Sequence, residues 1–117
     1  IRRRIMRVIS PTLKERKRYI LFKIHSDKKI DKETALRQCT EACLRFLGEY
    51  GCAEAGVQML PETWDKETQT GIIKTSHKWV DQTKAALMLI KNIDGQKVTV
   101  STILTSGSIN NLKGKRK

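Results

Sequence analysis

Several things are scarce in this sequence. Only 5% of its 117 residues are aromatic, three are cysteine, and acids are outnumbered two to one. Twelve Asp and Glu stand against 24 Lys and Arg, for a formal net charge of +12 and a pI of about 10. The longest uninterrupted apolar run, Ala85 to Ile90, falls far short of the roughly 18 residues that a spanning helix needs, so no transmembrane segment is expected. A positive stretch opens the chain, but no apolar stretch follows it, so no secretory signal is expected either. The missing Met at position 1 suggests a processed or truncated chain. Cys39, Cys43 and Cys52 make an odd count without paired short spacings, which argues against a disulfide framework and for a reducing, cytoplasmic address. What remains, 38% apolar residues, suffices for one modest core and one domain and excludes a wholly disordered chain.

Catalytic constellations are missing as well. Cys39 and Cys43 sit four apart on one helical face, not on the turns from which zinc sites draw their pairs, and they read as small core side chains. His25 and His77 stand at opposite ends of predicted elements without a neighbour suited to general acid or base work. Asp27, Asp31, Glu33, Glu41, Glu49 and Glu54 are scattered through caps and solvated helix faces. Ser106-Gly107-Ser108 completes neither a nucleophile elbow nor a phosphate loop. The expectation is a protein with no catalytic residue, no metal site and no cofactor of its own.

What is present is charge, and it sits at the ends. Arg2, Arg3, Arg4, Arg7, Lys14, Arg16, Lys17 and Arg18 face one acid, Glu15, within residues 1–18, and Lys113, Lys115, Arg116 and Lys117 close the chain. Residues 19–112 hold twelve basic against eleven acidic residues. A nearly neutral domain (19–112) between a basic N-terminal arm (1–18) and a basic tail (113–117) points to a polyanionic partner gripped by the arms. The bland alternative is a pair of solubilising tails.

Residues 18–25 alternate, with Ile20, Phe22 and Ile24 on one face, and predict a half-buried strand. Asp31 caps a helix whose stripe of Ala35, Leu36, Cys39, Ala42, Cys43, Phe46 and Leu47 runs to Gly48 and Gly51. Residues 56–60, ended near Pro61, and residues 68–75 read as two strands joined by a polar loop that contains Trp64. Ser76 caps a second helix carrying Trp79, Val80, Thr83, Leu87 and Ile90 in one stripe, stopped by Asn92, Asp94 and Gly95. Residues 97–104 make the last strand, with Val98, Val100 and Leu104 on one face. The order βαββαβ predicts an α+β, ferredoxin-like (RRM-like) sandwich: an antiparallel sheet with two helices on one face. In it the first and last strands are antiparallel neighbours, so both basic ends leave the sheet at the same end. The third strand lacks the aromatics that common RNA-recognition motifs use for base stacking, and Tyr19 is the one obvious platform.

Residues 11–20, Pro11-Thr12-Leu13-Lys14-Glu15-Arg16-Lys17-Arg18-Tyr19-Ile20, resemble the opening of the small ribonuclease P protein subunits of archaea, called protein component 2, a family shared with eukaryotes. Thr68-Gln69-Thr70-Gly71-Ile72-Ile73-Lys74 resembles that family's third-strand signature, and Thr105-Ser106-Gly107-Ser108-Ile109 with Leu112-Lys113 resembles its post-strand turn. The resemblance spans about residues 11–113. It implies an accessory protein of a ribozyme, whose RNA subunit cleaves precursor tRNA at the mature 5′ end with Mg²⁺. It also implies a partner, the TIM-barrel-like protein component 3, other ribonuclease P proteins, and self-association of two such pairs.

The expected mechanism is electrostatic. Lys and Arg neutralise closely spaced RNA phosphates and release counterions, favouring a compact ribozyme. Arg16, Arg18 and Arg116 can grip phosphate with two donors, whereas Lys17 and Lys117 act as point charges. Tyr50 and Trp64 are candidate protein-interface anchors, as large aromatics favour buried interface centres. Competing expectations are an RNA-binding or ribosome-associated protein outside ribonuclease P, a membrane-surface segment over residues 1–9, and a nuclease that acts alone.

Overall fold

A computed structural model describes residues 16–113 of the chain. Strand β1 (Lys17–His25) is followed by helix α1 (Lys32–Ala55), strands β2 (Gln58–Asp65) and β3 (Thr70–Ser76), and a 3-10 turn (His77–Trp79) leading into helix α2 (Val80–Met88). A small hairpin, β4 (Asn92–Ile93) and β5 (Gln96–Lys97), precedes strand β6 (Thr99–Ser106) and a short helix α3 (Ile109–Lys113). The four long strands form one sheet in the order β2-β3-β1-β6, antiparallel throughout. This is the expected ferredoxin-like arrangement, with the hairpin and α3 added.

The alternation in β1 decides which side of the sheet is which. Ile20, Phe22 and Ile24 are fully buried beneath α1 and α2 together with Cys39, Cys43, Ile73, Ala86 and Leu87. Burying each large side chain of that set contributes about 1.5–3 kcal/mol. The opposite, open face carries Tyr19, Leu21 and Lys23 of β1. Its apolar part is covered by α3, so that Leu21, Leu60, Ile72 and Leu112 make a second, smaller core with Tyr19 and Ile109 against it.

Five local readings change. Helix α1 does not stop at Gly48: it kinks there, where φ is 78° and ψ 169°, a backbone only glycine adopts readily, and it resumes to end at Ala55. Strand β2 does not stop at Pro61 but runs through it to Asp65, because the proline lies on an edge strand within an interruption of the β2–β3 register, where its missing N–H breaks no ladder bond. Trp64 is therefore a strand residue, not a loop residue. In β6 the register slips between Leu21 and Phe22 of its neighbour, which pairs Leu104 with Leu21 and Thr102 with Phe22. That bulge at Ile103 moves Leu104 away from the face of Val98 and Val100. Strand β1 begins at Lys17, one residue before the expected start at Arg18, so the arm and the strand meet at these two residues, and Lys113, expected in the tail, ends α3.

Candidate nucleic-acid interface

Three strand ends meet where β1 begins. Lys17 pairs with Ser76 at the end of β3, and Tyr19 pairs with Ser106 at the end of β6. The chain thus enters and leaves the sheet at one end, as the topology requires. The entry is pinned by the Arg16 carbonyl, which accepts the His77 backbone N–H at 3.0 Å and lies 3.3 Å from His77 Nδ1. The exit is pinned by Ser106, whose Oγ accepts the Ser108 N–H at 3.1 Å and an Asn111 Nδ2 proton at 3.3 Å, turning the chain into α3. Beneath this corner, the Thr75 and Thr83 hydroxyls lie 3.2 Å apart and donate to the Ala55 and Trp79 carbonyls. The end of α1, β3 and α2 are fixed by that fully buried pair.

The cations here are not equivalent. Arg16 is exposed. Arg18 donates one Nη1 proton to the Lys17 carbonyl at 3.2 Å and lies so close to the turn that a Cβ on Gly107 would stand 3.3 Å from Nη1. It spends one of its five donors there. The Lys17 Nζ sits over the C-terminal cap of α1, 3.3 Å from where a Cβ on Gly56 would lie. That helix has no basic residue in its last turn, so Lys17 serves its negative end as well as any outside anion. Tyr19 is half-buried against Leu21, Leu60, Ile72 and Leu112, and is therefore a packed side chain more than an open stacking platform. Arg2, Arg3, Arg4, Arg7, Lys14, Lys115, Arg116 and Lys117 lie outside the described residues.

Residues 18–116 match the model of the Rpp14/Pop5 family. The chain belongs to that family. It is 37% identical over 109 residues to ribonuclease P protein component 2 of Pyrococcus furiosus, covering 93% of this chain and 89% of that one. It is 34% identical over 110 residues to the protein of the same name from Archaeoglobus fulgidus, covering 94% and 96%. Among solved structures it resembles a chain in the cryo-EM structure of yeast ribonuclease MRP, with a TM-score of 0.61 at 21% identity, over 80% of this chain and 76% of that one. The last likeness shows the fold.

In this Rpp14/Pop5 chain the third-strand signature has a structural explanation. Gln69, 7% exposed and with φ at 55°, reaches across the end of the sheet: its Nε2 donates to the Ile24 carbonyl and to Ser26 Oγ, both at 3.0 Å, and its Oε1 accepts the Ile30 N–H at 2.8 Å. Gly71 follows because a Cβ there would lie 3.0 Å from the Trp64 ring and 3.1 Å from Phe22. The two aromatic rings themselves are packed at 6.3 Å between centroids. The two candidate anchors consequently part ways: Trp64 is half-buried in the core, its Nε1 without an acceptor among the described residues, whereas Tyr50 is 78% exposed on α1.

Two features escaped the sequence reading. Lys23 and Lys74 share the open face with Tyr19, and strands β1, β3 and β6 contain no acid at all, so the neutral body carries a cationic sheet. On the other side, Phe46 (48% exposed) and Leu89 (57% exposed) line a groove of about 290 Å³ between α1 and the end of α2, and Leu44, Tyr50 and Met88 of the same two helices are exposed as well. The strand alternation held the first signal, since Lys23 falls opposite Phe22 and Ile24. The second had none, because Phe46 sits within the stripe that reads as core. The cysteines are core side chains as expected: Cys39 and Cys43 are buried, and burial, with Cys52 nearby, pushes the Cys43 thiol up to about 12.

Proposed function

We propose that this chain is a protein subunit of ribonuclease P, the ribonucleoprotein that cleaves precursor tRNA to generate the mature 5′ end. Its relatives at 32–37% identity over nearly the whole chain are ribonuclease P protein component 2 of several archaea, and that observation carries the reading. The polypeptide supplies binding and not chemistry: the RNA is the catalyst and holds the Mg²⁺. RNA phosphates meet the corner where β1 begins and β6 ends, through Arg16, Arg18 and in part Lys17, extended by Arg2, Arg3, Arg4, Arg7 and Lys14 on one arm and by Lys113, Lys115, Arg116 and Lys117 on the other. The three free cysteines suit a reducing compartment, the cytoplasm. Protein component 3 docks on the helix side, where Tyr50, Phe46 and Leu89 expose apolar surface that an isolated domain has no use for.

The test is precursor tRNA cleavage by a cognate ribonuclease P RNA at limiting Mg²⁺, with and without this chain and its partner subunit. Cleavage at the mature 5′ end that requires the RNA and rises with the protein is expected. No effect of the protein on a competent RNA would overturn the reading, and cleavage by the protein alone would overturn the absence of an active site. Arg18→Glu should weaken RNA binding well beyond Lys66→Glu, a change in an exposed loop.

A further inference from the structure

The far end of the sheet holds a second cationic feature, about 26 Å from the first at the rise of a β-strand over the length of β1. A cleft of about 310 Å³ opens there between the end of β1 and the start of β6, lined by His25, Lys91, Lys97, Val98 and Thr99. The residues come from three separate parts of the chain and none of them is acidic, in a body whose acids nearly equal its bases. Their backbones are fixed. His25 pairs with Thr99, and its Nε2 lies 2.9 Å from Ser101 Oγ. Lys97 pairs with Asn92 in the β4–β5 hairpin, whose Asp94-Gly95 turn has the two positive φ values, 50° and 84°, of a tight primed turn. The Val98 N–H donates to the Lys91 carbonyl at 3.1 Å, which seats both lysines on the rim.

The surroundings keep the cleft cationic and in place. Asp94, the acid of the hairpin, is 3.7 Å from Arg37. The hairpin is joined to the β1–α1 loop by the Lys28 N–H, which donates to Gln96 Oε1 at 3.2 Å, and that loop is held in turn by Gln69. We propose that this cleft binds a phosphodiester of the RNA. The assignment rests on the RNA-binding reading above and extends it: Lys23 and Lys74 lie on the open face between the two ends, so one RNA segment is held at both ends of the sheet. Two separated phosphate contacts fix the orientation of a nucleic acid on a protein, which a single cluster of arms does not.

The experiment uses the full chain and its cognate ribonuclease P RNA, with affinity measured from about 50 to 300 mM salt. Lys97→Glu lowers affinity about 3- to 10-fold near 0.1 M salt and reduces the log–log salt slope by about one, as expected for a lost phosphate contact, with an unchanged urea midpoint. Lys97→Arg restores both. Lys91→Glu combined with Lys97→Glu goes further in the same direction, Lys97→Glu alone being the cleaner change because Lys91 also borders the α1–α2 groove. If neither variant moves affinity or slope while Arg18→Glu does, the cleft is not an RNA contact and the arm reading stands. If Arg18→Glu is also silent, both fall. Inorganic phosphate is titrated in parallel against the His25 and Lys97 resonances: saturation at low millimolar phosphate with wild-type RNA affinity in Lys97→Glu would make the cleft a small-anion site and overturn the proposal.

Discussion

The two faces of the domain solve opposite problems. The open face of strands β1, β3 and β6 has Lys23 and Lys74 and no acid, and α3 covers its apolar centre. The helix layer mixes Glu33, Glu41, Glu49, Glu54 and Asp81 with Lys32, Arg37, Arg45 and Lys84, and leaves Leu44, Phe46, Tyr50, Met88 and Leu89 in solvent. The sheet side has its acids, Glu62 and Asp65, confined to the edge strand β2 and most of its apolar surface under α3, whereas the helix side has balanced charge and more of its apolar surface open. Phosphate favours the first and a protein surface the second. A net charge near zero for the body is thus an average over two unlike sides.

The comparison is most easily broken at α3. Leu112 is fully buried on the open face, and Leu112→Ala should cost about 2–4 kcal/mol in urea unfolding, with RNA affinity falling as the exit corner loosens and binding to the partner subunit unchanged. A smaller loss, about 1–3 kcal/mol, is expected for Gln69→Ala, which strands the Ile30 N–H and the Ile24 carbonyl; hydrogen exchange should quicken at Ile30 and in the 26–30 loop before it does in β1. On the helix side, Phe46→Ser with Leu89→Ser should shift stability by no more than about 0.5 kcal/mol each and leave RNA affinity alone, yet abolish association with the partner subunit. An RNA defect in that double variant would mean that the two faces are not separate.

The smallest effect lies in the core between them. The Cys43 thiol is held protonated, pushed up from an ordinary 9.0 to about 12, so its contribution to stability is full below about pH 9 and is lost as pH rises through 12, once the unfolded chain ionises and the folded one does not. At pH 8, alkylation should mark the half-buried Cys52 well before Cys39 or Cys43; equal rates would show that α1 opens readily at its Gly48 kink.

Most of the fold was legible because its signals are periodic. β1 declared its two faces by alternation, and the stripes of α1 and α2 marked their buried sides. The misreadings share a cause: each depended on a neighbour that sequence does not show. Pro61 ends a strand only if its N–H is needed, and on the sheet edge it is not. Gly48 kinks α1 without ending it because the core resumes on its far side, where Ala55 is fully buried. Leu104 keeps the alternation of a regular strand until a bulge forms against β1. The hairpin of β4 and β5 is two residues a side, too short for any period, and its Asp94-Gly95 turn looked like a helix stop. For the site, the meeting of the two chain ends at one corner followed from antiparallel topology alone, whereas the acid-free run of β6, β1 and β3 and the cleft at its far end required knowing which strands are neighbours.

The middle of the sheet also sets the order of events in folding. β1 has no partner close to it in sequence: Lys17 waits for Ser76 and Tyr19 for Ser106, with nothing like a local hairpin to begin from. Closing loops of that length before β1 can pair makes folding slower than that of a helical bundle of the same size. On the ribosome the central strand must remain unpaired on one side until nearly the whole chain has been made. The corner proposed to meet RNA is thus the last part of the protein to form, and a chain cut short before β6 has no finished corner at all.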